Sequence, residues 1–505
     1  MWRFESNEGR SEQHSTMANT FPQIRASAID GRAVNVYYRQ RQMERLHDAI
    51  TKAFSEILKA IETDHDQTPA EAAIEMYLAM QALKSDYASL QPKQAHHDEY
   101  LIASGKNARS NRRSVGVVYI EPCSRHTLFY SVIAPLSAAM AAGNCVIVLL
   151  ESNLRTLSSL LREMLSSSLD SDTFAIASDP IQDELLLESA LVVRQSGNEQ
   201  TPGINLLSSL AKSKTVAVVD RTADISVAAR ELVAATFAFG GRSPYAPDFI
   251  FVNEFVKRAF LQAVVAECAK FNSLQAVNPQ AEKSSKAQAM NDYVTSLRQA
   301  DPQSRIVLQE QKMAVLDLYD RAKAPLTTKN EYPLMLVHGV RSLDDAIDLI
   351  GSSASNTRAA NLAAYHFGNP ATGKYLSQFI DAEVSFVNYV PRELLVGPAF
   401  PTGHPIELRT RYPRELFTVH RPAFINSPVS EKGIREMLVS SNRAAAAKLV
   451  QAATVPLNVM KRHPGGGVGF FEQGFLMNAG LILTTTVSIT GVGLYWLVKH
   501  GRTPW

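Results

Sequence analysis

The chain has 505 residues, about three domains' worth and too long for one hydrophobic core. Hydrophobic residues make up 46% and charged residues 20%, which excludes a chain disordered throughout. Fifty-one Lys and Arg against 49 Asp and Glu leave +2 with no basic run, so the concentrated field of a nucleic-acid binder is excluded.

Residues 1–28 are rich in Ser, Glu, Gln, Asn and Arg and have no apolar run, which predicts a disordered leader and not a secretory signal. From 36 to 62, Met43, Leu46, Ile50, Phe54, Ile57, Leu58 and Ile61 recur at helical spacing. A second helix is expected after Thr68-Pro69, with Thr68 as cap. SVGVVYIEP at 114–122 reads as a buried strand, followed by helical PLSAAMAAGN (135–144), the strand CVIVLL (145–150) and a helix over 154–169. Further strands fall at 215–220, 248–253, 332–339, 362–368 and 383–390. Between them helices are expected at 224–240, 254–271 and after Ser342, whereas 272–331 is polar and weakly patterned. Strand alternating with helix at this spacing predicts parallel α/β sheets.

Gly474 to Val498 carries no charge over 25 residues, about 37 Å of helix, enough to span a bilayer. Tyr495 and Trp496 suit an interface, and Lys461, Arg462 and His463 precede a flexible PGGGVG at 464–469. A C-terminal transmembrane helix over 474–498 is therefore expected, with the main body cytosolic. Cys123, Cys145 and Cys268 lie too far apart for a disulfide framework or a CxxC metal site, and no metal site is expected.

Several strings then fall in an order that resembles the aldehyde dehydrogenase superfamily, in particular its class 3 or fatty-aldehyde branch. They are GRAVNVYYRQRQMERLHDAI (31–50), GVVYI with PLSAAMAAGNCVIV (116–148), DRTADI (220–225), FGGRSPYAPDFIFVNE (239–254) and VRSLDDAIDLI (340–350). The resemblance implies two doubly wound α/β domains plus a bridging β-hairpin used for dimerisation. A Rossmann-like cofactor-type domain would occupy 29–212, including part of the hairpin near 98–114, and a catalytic-type α/β domain 213–396. A bridging strand at 397–428, a helical and Gly-rich linker at 429–473 and the transmembrane helix at 474–498 complete the expected organisation.

The family's chemistry needs a thiolate nucleophile, an oxyanion donor and a carboxylate that activates water. Against the family pattern GQxCxAPDY this chain reads Gly241-Arg242-Ser243-Pro244-Tyr245-Ala246-Pro247-Asp248-Phe249, so Pro244 stands at the nucleophile position. Proline offers neither a nucleophile nor a backbone N–H. Ser243 is one residue out of place and has no evident base. The oxyanion asparagine of the family's WNYP string is matched by Arg125, and the ELGGK glutamate has no counterpart in LLSSLAKSKTVAVVDRTAD. The cofactor lysine of KPSE is lost from Leu149-Leu150-Glu151-Ser152, and no GxTxxG string follows; SGNEQTPG (196–203) is its nearest likeness. Candidate cofactor contacts reduce to Ser152 and to Glu331, in the remnant of EIFGP, so NAD(P) binding is expected to be weak or absent.

These losses predict a membrane-anchored pseudoenzyme of the aldehyde dehydrogenase family, forming a homodimer. One alternative is a divergent NAD(P)-dependent oxidoreductase acting on long-chain or pathway-specific aldehydes. Its nucleophile would be Cys123, with Arg125 and His126 as cations that lower the thiol's pKa. Another is an accessory subunit bound to the enzymes of a membrane-associated biosynthetic pathway. Cys145 and Cys268 read as core filler, His96-His97-Asp98-Glu99 as a solvated loop, and Arg109, Arg112 and Arg113 as interface residues. HRP (420–422) matches the end of the bridging strand, while His404 and Arg409 to Arg414 are expected to line the mouth of a substrate tunnel.

Overall fold

The computed structural model describes residues 20–196, 205–275, 285–322, 329–352, 361–426, 434–435, 437–439, 442–460 and 470–501. Residue contacts divide the chain into two units, 1–426 and 427–505.

Helix α1 (Pro22–Asp30) opens the first unit, with Pro22 at its first position. It packs on the first sheet, where Ile24 is buried with Tyr119, Cys145 and Ile147. Residues 22–28 of the expected leader are therefore helical and anchored, because one apolar side chain finds a core; residues 1–19 lie outside the described set. The expected 36–62 helix is two helices, α2 (Val36–Lys52) and α3 (Phe54–His65). The chain turns between them at Ala53, which leaves Phe54 44% exposed. Thr68 and Glu71 form a reciprocal capping box at the start of α4 (Pro69–Ser89). Residues 96–99, expected as a solvated loop, are instead the last part of the exposed helix α5 (Pro92–Glu99).

Strands β1 (Arg112–Ser114) and β2 (Val117–Glu121) lead to α6 (Leu128–Ala141), then β3 (Cys145–Leu149), α7 (Thr156–Ser168) and β4 (Phe174–Ala177). Next come α8 (Glu184–Ser189), β5 (Leu191–Arg194) and β6 (Leu206–Ser208). The first sheet is parallel, in the order β4-β3-β2-β5-β6. Chain direction across the sheet reverses between β2 and β5, and ligands of open α/β sheets commonly sit at such a point, beyond the strand ends.

The second sheet begins with β7 (Thr215–Val219), α9 (Ile225–Phe237), β8 (Phe249–Asn253), α10 (Glu254–Gln275) and α11 (Ser285–Ala300). It continues through β9 (Arg305–Gln309), β10 (Ala314–Leu318), β11 (Leu334–Val340), α12 (Leu343–Ser352), β12 (Ala363–Phe367), α13 (Pro370–Phe379) and β13 (Ser385–Val387). Its order is β13-β12-β7-β8-β11-β10-β9, parallel except for the edge strand β9. The weakly patterned 272–331 thus supplies one helix and two strands. On α11, Met290, Val294 and Leu297 share a buried face, a short apolar stripe in a polar stretch.

Strand β14 (Thr418–His420) pairs antiparallel with β1, Arg112 opposite His420, so the two-stranded ribbon joins segments some 300 residues apart. In the second unit, Asn442 caps α14 (Arg443–Ala453), and α15 (Phe470–His500) is a single helix of 31 residues.

Candidate functional site

A cleft of about 1310 Å³ opens where the carboxyl ends of the first sheet face the amino ends of the second. The β2–α6 loop contributes Cys123, Ser124, Arg125 and His126; the segment before β8 contributes Arg242 and Pro244; the segment before β11 contributes Lys329 to Pro333. The structure thus gathers Cys123, Arg125, His126, Pro244 and Glu331 in one place. Ser152 is elsewhere, on the exposed turn after β3.

Strained backbone leads into the segment before β8. Phe239, Gly240 and Gly241 all have positive φ (54°, 66° and 68°). A Cβ on Gly241 would sit 2.8 Å from the Cα of Pro333, so only glycine fits there. The cost at Phe239 is offset by Glu71, whose Oε1 accepts the Phe239 N–H at 2.6 Å while Oε2 accepts that of Thr68. Beyond it, the Pro244 carbonyl accepts from Thr215 Oγ1 (3.0 Å) and Lys329 Nζ (2.7 Å). Lys329 also meets the buried Asp248 carboxylate at 2.9 Å, and that carboxylate accepts the N–H groups of Thr215 and Asn330. Burial pushes the Asp248 carboxyl upward and Lys329 opposes it, so the pair is a fixed bracket holding the loop. Ser243 is buried, its Oγ accepting from Tyr245 N at 3.3 Å, and does not line the cleft.

Cys123 is half-buried, and its N–H donates to Gln195 Oε1 at 2.9 Å. His126 does not supply the expected cation. It is buried, its Nε2 lies 2.8 Å from the Leu395 carbonyl, and desolvation pushes its pKa down to about 3. An imidazole held neutral in this way gives Cys123 no electrostatic help, and it is a poor base near pH 7. Arg125 is largely exposed and reaches across the cleft to Glu331, 3.6 Å away and also exposed. The residue that replaces the family's oxyanion asparagine and the candidate ribose contact are therefore each other's partners. Burial raises Cys145 to about 11 and Cys268 to about 12, which leaves both thiols inert.

Just beyond the ends of β2 and β5, Cys123, Ser124 and Ser196 line the cleft. Glu121 and Arg194 pair at 2.7 Å, and Gln195, fully buried, donates its Nε2 to the Ser131 carbonyl at 2.8 Å. Of SGNEQTPG, residues 197–203 lie outside the described set.

Arg411, expected at a tunnel mouth, is instead buried. Its guanidinium donates to the carbonyls of Val396 (2.8 Å) and Pro398 and lies 4.4 Å from the Phe400 ring centroid. His404 and Arg409 do remain exposed. On the ribbon, Arg112 Nε donates to Thr418 Oγ1 at 2.7 Å, and His420 Nε2 lies 2.9 Å from the Arg109 carbonyl. His97 lies 3.3 Å from Asp98 on α5. No group of three metal-binding side chains converges among the described residues.

No family model matches the chain. Among solved structures, it superposes on the substrate-bound aldehyde dehydrogenase of Staphylococcus aureus with a TM-score of 0.63 at 19% identity, covering 81% of this chain and 94% of that one. The fold is that of the aldehyde dehydrogenase superfamily. The glyceraldehyde-3-phosphate dehydrogenase of Methanocaldococcus jannaschii, solved with NADP, matches with a TM-score of 0.59 at 14% identity over 81% of this chain and 93% of that one. In sequence the chain is similar to class 3 members. Mouse aldehyde dehydrogenase family 3 member A2 is 24% identical over 392 residues, 71% of this chain and 76% of that protein. The 4,4'-diaponeurosporen-aldehyde dehydrogenase of S. aureus is 24% identical over 254 residues, 47% of this chain and 54% of that enzyme, so the match spans about half of its length.

On this aldehyde dehydrogenase fold the cleft has seven Lys and Arg side chains against four carboxylates, an excess of three positive charges. Three of the cations are paired: Lys329 with Asp248, Lys312 with Asp66, and Arg125 with Glu331. Lys59, Arg155, Lys212 and Arg242 meet no carboxylate at ion-pair distance among the described residues. Sequence reasoning missed Glu71, Arg155 and Gln195. The capping box was the one local signal for Glu71; the other two acquire their roles only through tertiary contacts.

Proposed function

We propose that this chain is an aldehyde dehydrogenase-fold protein that has lost dehydrogenase chemistry and works as a binding or assembly component at a membrane. The observation that carries this reading is the bracket at Pro244. At the position aligned with the family's nucleophile the side chain is a pyrrolidine ring, and the adjoining carbonyl is held by Thr215 and Lys329. Further support comes from the neutral His126 beside Cys123, from Arg125 paired with Glu331, and from the acid-free Ser208–Lys212 link where the family has its general base. Weak or absent NAD(P) binding follows from the missing KPSE lysine at Leu149-Leu150-Glu151-Ser152 and from the lack of a GxTxxG string. The alternative, a divergent oxidoreductase using Cys123, has the thiol in the cleft but lacks the cation from His126 that was to activate it.

One helix among the described residues is long and apolar enough to cross a membrane, with Glu472–Trp496 at a mean hydropathy of 1.5. Its threonines do not argue against a bilayer. Thr484, Thr486, Ser488 and Thr490 each return their hydroxyl to the carbonyl four residues back, at 2.6–2.8 Å, so no hydroxyl needs water. The basic residues 461–463 and the PGGGVG linker lie outside the described residues. A homodimer through the β1–β14 ribbon, with the main body cytosolic, and contacts with enzymes of a membrane-associated pathway complete the reading.

The test is turnover. Purified full-length protein given NAD or NADP with aldehydes of short to long chain is expected to reduce no cofactor, and multiple turnovers per minute would overturn the reading.

A further inference from the structure

Arg39, on α2, is 8% exposed and meets no carboxylate among the described residues. Its Nη1 donates to the Ala141 carbonyl at the end of α6 (2.6 Å) and its Nη2 to the Val34 carbonyl (3.1 Å), while its Nε is buried with no acceptor. Capping α6 accounts for the two ends of the guanidinium and leaves the Nε–H unexplained. Burial lowers this guanidinium to about 10, and Arg414 adds repulsion. Beside it is a void of about 20 Å³, lined by Arg39 and by Gln42, one turn further along the same helix. Gln42 Oε1 accepts the Asp170 N–H at 3.0 Å, which orients the amide and leaves its NH2 without an acceptor among the described residues. The other polar side chains of the wall are engaged: Tyr38 with Asp170 and Thr173, and Asn144 with Gly116, Ala139 and Phe417. Asp170 in turn meets Arg32 at 3.0 Å. What remains of the wall is apolar, with Ala33, Met140 and Val146 among it.

We propose that this void binds one monatomic anion of chloride size, held by the Nε–H of Arg39 and the amide NH2 of Gln42. A water molecule needs acceptors as well as donors, and the free groups here are donors only. The volume takes about one water-sized sphere, so sulfate and phosphate are too large for it. A halide also offsets a buried charge that no carboxylate answers, and it ties α2 more firmly to the end of α6. None of the residues lining this void lines the large cleft, so the site does not depend on how the cleft is read.

Chloride NMR line broadening on the full-length protein in neutral-lipid nanodiscs tests it, with gluconate holding the ionic strength constant and bromide as competitor. Saturable broadening that bromide reverses is expected. Arg39→Met should weaken it roughly tenfold or more, the size of one charge-assisted hydrogen bond, and Gln42→Leu should weaken it severalfold. A bromide-soaked crystal of the unaltered protein, read by anomalous scattering, should show an ion in the void beside Arg39 Nε. That measurement needs no variant, so a folding defect cannot mask the result. A void without an anomalous peak holds water or nothing and overturns the proposal. Broadening that both folded variants retain unchanged places the ion elsewhere, the cationic cleft included, and overturns it equally.

Discussion

Gln195 donates its side-chain N–H to the carbonyl of Ser131, the acceptor that Pro135 leaves without its usual partner four residues on. Its other end accepts the Cys123 N–H. One buried amide therefore repairs a proline-broken helix turn and fixes the loop that carries Cys123, Arg125 and His126. Gln195→Ala would strand both backbone groups. A loss of about 2 kcal/mol in urea unfolding is expected, and a loss under about 0.5 kcal/mol would show that water replaces the amide.

Arg411 is buried without a carboxylate and serves as a hub for carbonyls of the 393–398 segment. Arg411→Met removes those donors and is expected to destabilise by about 3 kcal/mol. Arg411→Lys should recover little, because an ammonium cannot reproduce a planar fork that also stacks on Phe400. Equal melting temperatures for Arg411→Lys and the parent would refute the hub.

Two carboxyls buried along α4 make stability depend on pH. Glu75 and Asp86 are each pushed up to about 7 by desolvation, Glu75 accepting from Tyr130 N and Asp86 from Ser137 Oγ. A folded pKa above the unfolded value means that the folded state holds the proton more tightly. Their contribution is thus fully present below about pH 4 and is lost as pH rises through about 7. Glu75→Gln should flatten that decline and raise stability at pH 8 by on the order of 1–2 kcal/mol, measured by chemical unfolding at pH 5 and pH 8. An unchanged slope between those pH values contradicts this placement.

Restoring sulfur alone should not restore chemistry. Pro244→Cys is expected to add an alkylatable thiol in the cleft yet to give no aldehyde oxidation, since neither the base nor the oxyanion amide returns with it. Peptide mapping after iodoacetamide treatment reports the first, and a cofactor-reduction assay the second. Oxidation by this variant would mean that other groups in the cleft supply both roles.

Much of the scaffold was legible in the sequence where one cause dominates locally. Val117–Glu121, Cys145–Leu149, Thr215–Val219 and Phe249–Asn253 are near-continuous apolar runs, as strands buried on both faces must be. Thr68 and Pro69 announced α4. Strands β9 and β10 escaped because the edge strand is half-exposed and its neighbour is short and flanked by polar residues. Helix α1 escaped because a single buried Ile24 does not make a periodic pattern. At the cleft, Cys123, Arg125, His126, Pro244 and Glu331 were found by motif position. The neutrality of His126, the inward turn of Arg411 and the two bonds of Gln195 depend on burial set by distant segments, which no local spacing encodes.

The most direct measurement is a single-turnover experiment with the full-length protein in excess over a long-chain aldehyde and with saturating NAD or NADP, read by cofactor absorbance. This format detects the chemical step even when product release is slow. The account predicts no reduced cofactor beyond the protein-free control. A burst of NADH or NADPH equal to the aldehyde supplied, lost when Cys123 is replaced by serine, would contradict it.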